Sequence, residues 1–253
     1  MMEWRDSFLD LVLIPVSLLL PMVYHVWLWR EVRLRPLRTA VGINSATRRL
    51  WAINMMKDNG KNAVTVVQSL RNVIMGSTLM ATTAILFCTG IAAVLSSTYT
   101  IKKPLSDTVF GSHGEYMMAL KYVALLLLFL FAFLCHSLGI CFLNQANFLI
   151  NTSGSLFAAD ADAESGSLGL PSDYINEILE RGFTLNFVGN RLFYAGVPLL
   201  LWIFGPLLAF LSSTVMIPIL YYLDIVNLRG GSGCVNGKSA EMMNGSECMH
   251  VSI

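Results

Sequence analysis

Four stretches of this chain, at about 7–28, 73–95, 119–143 and 192–220, are apolar over the length of a membrane crossing. A helix needs roughly 20 mainly apolar residues to cover the hydrocarbon layer, where no water is present to satisfy the backbone. Such blocks leave an all-α integral membrane four-helix bundle as the expected fold. Composition agrees, because only 13% of the residues are charged, about half the share usual in a soluble domain. Spans at those positions assign 1–226 to one membrane domain and leave 227–253 as a polar tail with too little apolar surface to fold.

Charge placement sets the expected orientation. The segment after the first span carries Arg30, Arg33, Arg35, Arg38, Arg48, Arg49, Lys57, Lys61 and Arg71 against Glu31 and Asp58. Basic loops stay cytoplasmic, so the first and third loops are expected inside. The N-terminus, the second loop (with Lys102 and Lys103) and the tail are expected outside. The third loop is acidic, but acids count for little in this rule. The first span lacks a basic leader and a small-residue cleavage site, and HVWLWREVR follows it as an aromatic belt and basic flank. It is expected to be a retained anchor of a multi-pass protein of the plasma membrane or an endomembrane.

Two shorter helices are expected on the cytoplasmic side. One runs from Asn44 or Ser45 to Lys57, with Leu50, Ile53 and Met56 at helical spacing and Asn59-Gly60 as its stop. It can lie on headgroups or pack against the span ends. The other starts at Ser172 or Asp173 and is expected to stop at Gly182, with Ile175, Ile178 and Leu179 on one face. Arg71-Asn72 and Asn190-Arg191 then open the spans that follow, and His25 and His136 fall at similar depth in the spans before. The pattern reads as two parallel units of span, helix, span, a plan used by transporters. The segment 152–170, rich in Ser, Gly, Ala and Asp, is expected to be a flexible loop.

On the second span Ser77, Ala81, Ala84, Cys88, Ala92 and Ser96 share one helical face. Small residues let helix backbones approach in lipid, so close packing is the first explanation. Thr78, Thr82 and Thr89 adjoin that face and offer a hydroxyl-lined pathway as the second. Arg71 and Arg191 are headgroup anchors or, with Asn72 and Asn190, a basic ring at a pore mouth that would favour small anions. His25 and His136 are buried packing residues, or proton-sensitive groups near their ordinary pKa of about 6.5. Their similar depth permits a two-histidine haem site, yet a lone pair of histidines is weak evidence for one. Pro198, Gly205-Pro206 and Pro218 read as kinks in the fourth span.

No phosphate-binding loop, dinucleotide fingerprint, zinc-protease motif or nucleophile elbow occurs. The five cysteines have neither a metal-site nor a disulfide spacing. No enzyme activity, cofactor or nucleic-acid partner is expected. Membrane lipids, a second copy of the chain and a cytoplasmic protein at the basic first loop are the expected partners.

Three stretches carry a resemblance: QSLRNVIMGSTLMATTAI (68–85), HSLGICFLNQANFLIN (136–151) and RGFTLNFVGNRLFYAGVPLLLWIFGP (181–206). In these the chain resembles plant and bacterial membrane proteins grouped only as domain of unknown function 599. The likeness covers nearly everything but the tail. It implies a four-span membrane protein and no activity. Two functions therefore stand: an oligomeric channel or small transporter, for small anions if Arg71 and Arg191 line it, or a non-transporting adaptor that binds anionic lipid or a partner through Arg30, Arg33, Arg35 and Arg38.

Overall fold

The computed structural model describes residues 2–57, 63–101, 115–159 and 172–226. The elements are α1 (Met2–Leu34), a 3-10 turn (Pro36–Arg38), α2 (Ala40–Lys57), α3 (Ala63–Ile101), α4 (Glu115–Ala159), α5 (Ser172–Trp202) and α6 (Pro206–Asp224). Thr39 and Ile225 form an isolated bridge, and no strand occurs among the described residues. The all-α bundle is as expected. Four helices, α1, α3, α4 and α6, are long and apolar enough to cross a membrane. Their outward surfaces carry large apolar side chains such as Met22, Val23, Leu79, Leu86, Phe131, Leu207 and Val215, the reverse of a water-soluble surface patch of limited size.

α4 is the central helix. α3 runs antiparallel along one side of it, with the Cys88 thiol 3.7 Å from the Leu126 carbonyl at one end and Leu70 clustered with Leu143 at the other. The buried face of α3 is Ser77, Ala81, Ala84 and Cys88, which is the packing face read from the sequence. Ala92 and Ser96, further along the same stripe, are exposed.

α5 takes the other side of α4 through glycine. A Cβ built on Gly182 would lie 2.9 Å from Leu143, on Gly189 2.7 Å from His136, and on Gly196 2.8 Å from Phe129. Glycines seven apart on α5 thus receive side chains seven apart on α4. A seven-residue period keeps one seam of a helix facing its partner, and each absent Cβ makes the hole that a Leu, His or Phe fills.

The hairpin of α5 and α6 departs most from expectation. The block 192–220 is not one kinked span: α5 ends at Trp202, and the chain reverses through Ile203, Phe204 and Gly205 before Pro206 starts α6. Gly205 sits at φ 159° and ψ 157°, backbone territory nearly restricted to glycine, and proline fits the first turn of a helix because its missing N–H needs no partner there. α6 then returns antiparallel to α5 and parallel to α1, with Ile14 clustered with Ala209 near its start and Tyr24 and Leu28 with Leu220 near its end. The Val226 N–H donates to the Arg38 carbonyl at 3.1 Å. The chain consequently leaves the bundle at the basic end, beside the first loop, and not at the opposite end where the tail was expected.

Prolines free carbonyls, and other helices satisfy them. Pro21 cannot donate to the Ser17 carbonyl four residues back, and Ser213 of α6 donates to it at 2.6 Å. Pro206 likewise leaves the Trp202 carbonyl free, and the buried Lys121 ammonium of α4 donates to it at 3.3 Å. A cation at the C-terminus of α5 also matches the helix dipole.

Gly182 does not stop the expected short helix; Ser172–Arg181 continues unbroken into α5. The second short helix is therefore the first part of α5 and not a separate element. Glycine here serves close approach, and the contacts of its neighbours outweigh its poor helix propensity. The first short helix exists as α2 and starts earlier, at Ala40. It packs: Ala52 and Met56 join Val66, Leu70, Leu143, Ala146, Ile150, Ile175, Ile178 and Leu179 in the largest buried cluster. Leu50, placed on the apolar face by spacing, is 64% exposed. α4, at 45 residues and 1.5 Å per residue, is about 67 Å long. It and α3 outreach a hydrocarbon layer of about 30 Å, and this cluster covers their projecting ends. Residues 152–159, expected as loop, prolong α4. Lys102, Lys103, Asn59-Gly60 and two of the five cysteines, Cys234 and Cys248, lie outside the described residues.

Candidate functional site

At the basic end α5 does not touch all its neighbours. Between α5, α2 and the final turn of α6 lies a cavity of about 1000 Å³. Its walls carry Asn44, Ser45, Arg48 and Arg49 from the first half of α2, Asp173, Asn176, Glu177, Glu180, Phe183, Thr184, Phe187, Asn190, Arg191 and Tyr194 along α5, and Leu223 and Asp224 from α6. The spacing on α5 explains the lining. Positions 173, 176, 180, 183/184, 187, 190/191 and 194 advance by three or four, so one stripe of the helix faces the cavity.

The deep end is built on three helices. Arg191 of α5 donates to one oxygen of Asp224 of α6, and the Tyr24 hydroxyl of α1 donates to the other at 2.7 Å. The Asp224 side chain is 3% exposed and that of Arg191 12%. The Arg191 guanidinium lies over the Phe187 ring, 4.6 Å from its centroid. An unpaired charge at this depth would be costly, and pairing on neighbouring helices is the usual resolution. One guanidinium nitrogen, Nη1, is buried with no hydrogen-bond partner.

The mouth repeats the arrangement one level up. Arg48 of α2 donates through Nε and Nη2 to the two oxygens of Glu180, at 3.2 and 3.0 Å, a two-pronged pair. Its guanidinium also lies 4.4 Å from the Phe183 ring centroid. Arg49 approaches Asp173 at 3.5 Å in an exposed contact that carries little energy. Asn176 stands between these pairs, 7% exposed, with both Oδ1 and Nδ2 buried and unpartnered.

Of the residues singled out in the sequence, Asn190 and Arg191 line this cavity. Arg71 and Asn72 are exposed on α3 and are not part of its wall. Through α4, Leu70 is level with Leu143 and hence with Gly182. Arg71 is thus about eight residues, roughly 12 Å, from the level of Arg191. The two arginines do not form a ring within one chain. Thr78 and Thr82 are exposed, and their hydroxyls bond back to the carbonyls of Ile74 and Thr78 at 2.8 Å. His25 donates through Nδ1 to the Pro21 carbonyl at 2.6 Å. His136, 1% exposed, fills the hole over Gly189; it and His25 belong to different helix pairs.

Sequence reasoning missed Asp224, Asn176, Arg48 and Glu180 as wall residues. A signal existed for Asp224. An acid at the end of an apolar run needs a cation, and Arg191 is the one basic residue between 182 and 228.

A family profile described as "Protein of unknown function, DUF599" matches residues 12–228. No curated protein and no solved structure matches the chain significantly.

Proposed function

The chain belongs to the DUF599 family, and from that premise we propose that it is a small membrane transporter that takes a polar solute into the cavity between α2, α5 and α6. One observation carries this reading. A cavity of about 1000 Å³ leads from the basic end to a buried ion pair, and two residues of its wall, Asn176 and Arg191, hold buried polar atoms that lack partners. Concave sites with a few convergent polar groups are where small ligands bind, and ionisable residues at membrane depth commonly lie on solute pathways. The basic end is the cytoplasmic mouth under the charge rule. Apolar clusters around Ile14, Trp202, Phe129 and Leu125 close the far end, so passage requires the α5–α6 hairpin to move against α1 and α4. Small anions are not the solute this site favours, because Arg191 is neutralised by Asp224 and Arg71 stands elsewhere. A homo-oligomer remains part of it, with the open Gly76 and Gly90 positions of α3 available to a second copy.

The adaptor reading keeps one favourable observation: Arg30, Arg33, Arg35 and Arg38 are all exposed at the same end. Flux of a solute panel into proteoliposomes separates the two. Transport predicts uptake that falls at least tenfold in Ser45→Trp, which fills the cavity without touching the ion pair. The adaptor reading predicts no flux, with lipid or partner binding lost when the four arginines become alanine.

A further inference from the structure

Every charged side chain in the cavity wall has an ionic partner. Arg48 is matched by Glu180, Arg49 by Asp173, Arg191 by Asp224, and Glu177 by Arg181 at 2.5 Å. No wall cation is left over to hold an anion. What lacks partners is of a different kind: the whole carboxamide of Asn176 and the Nη1 donor of Arg191, whose charge is already met through Nη2. A buried polar group without a partner is costly, and Asn176 leaves both a donor and an acceptor in that state.

We infer that the cavity selects an uncharged solute rich in hydroxyl or amide groups, which offers a donor and an acceptor to Asn176 and an acceptor to Arg191. An anion at Arg191 would meet the Asp224 carboxylate on the same guanidinium and give up its own hydration, with no net positive charge to repay it. A neutral carbonyl or hydroxyl incurs neither cost. Asn176 and Arg191 are fifteen residues apart on one helix, about 22 Å, too far for one small molecule to span. They mark two stations, one near the mouth and one at the ion pair. The uncharged groups of Ser45 and Asn190 also line the wall. This inference rests on the proposed reading only in taking the cavity as a ligand site.

The test is thermal unfolding of the full chain in detergent with millimolar erythritol, myo-inositol or N-methylacetamide, against potassium chloride, nitrate and glutamate. At ten times its dissociation constant a ligand should raise the midpoint by about 4 °C. The expected result is such a shift from at least one uncharged probe, abolished in Asn176→Leu. That variant replaces an unsatisfied buried amide by an apolar group of similar size, so it should unfold at or above the wild-type midpoint. Saturable stabilisation by chloride, nitrate or glutamate alone would overturn the inference, as would a shift that Asn176→Leu leaves intact or the absence of any shift. An Asn176-dependent shift without flux in proteoliposomes would uphold it while removing the transporter reading.

Discussion

Arg191 and Asp224 are 33 residues apart in sequence and form one ion pair, because the chain between them turns back on itself at Gly205-Pro206. Had 192–220 been a single span, the two would lie at opposite ends of it. The pair therefore fixes the direction of α6, and Tyr24 adds α1 to the same carboxylate.

Breaking this pair from one side should cost more than removing both charges. Arg191→Met or Asp224→Leu alone leaves a buried charge, a loss of about 3 kcal/mol or more. The double variant Arg191→Met/Asp224→Leu should lose clearly less than the sum. Unfolding midpoints of all three in one detergent give the coupling. Additive losses would mean that the two side chains do not meet.

The glycine seam predicts opposite signs for one substitution at different places. Gly189→Ala puts a methyl 2.7 Å from His136, and Gly196→Ala puts one 2.8 Å from Phe129. Overpacking of this kind costs about 1–3 kcal/mol. Gly76→Ala on α3 meets nothing within 4 Å and should stabilise the helix by about 0.5–1 kcal/mol. His136→Ala should relieve much of the Gly189→Ala loss. Midpoints that do not differ between the α5 and α3 variants would contradict the packing described.

The carbonyl of Ser17 gives a third test. Ser213→Ala removes its one substitute donor and should cost about 1–2 kcal/mol. In a Pro21→Ala background the helix supplies its own N–H, and the same change should cost little. A cycle without coupling would show that Ser213 serves another purpose.

These comparisons indicate which features were legible in the sequence. The α3 face of Ser77, Ala81, Ala84 and Cys88 was readable because small residues at helical spacing have one common use in lipid. α2 was readable from its periodicity, although Leu50, counted on its apolar face, is exposed while Ala52 and Met56 turn into the core. The hairpin was not readable, since both of its helices are apolar and a Gly-Pro step serves kinks and reversals alike. Gly182 looked like a stop because propensity is a local property, whereas its reason for being glycine is Leu143 on another helix. The cavity needed α2, α5 and α6 to be placed together, and Asn176 carries no local mark that it would end up buried and unpartnered.

The reversal at Gly205 underlies the ion pair, the cavity and the exit of the chain at the basic end, so it is what most needs direct proof. Thr39 and Ile225 face each other as an antiparallel bridge, a separation that a disulfide can close. In a background without native cysteines, Thr39→Cys/Ile225→Cys should cross-link under mild oxidation in membranes. The N- and C-terminal fragments should then stay joined after proteolysis between α3 and α4 and part on reduction. If 192–220 were one straight span, position 225 would sit across the membrane from position 39. No disulfide would form, and accessibility reagents would label the two positions from opposite faces.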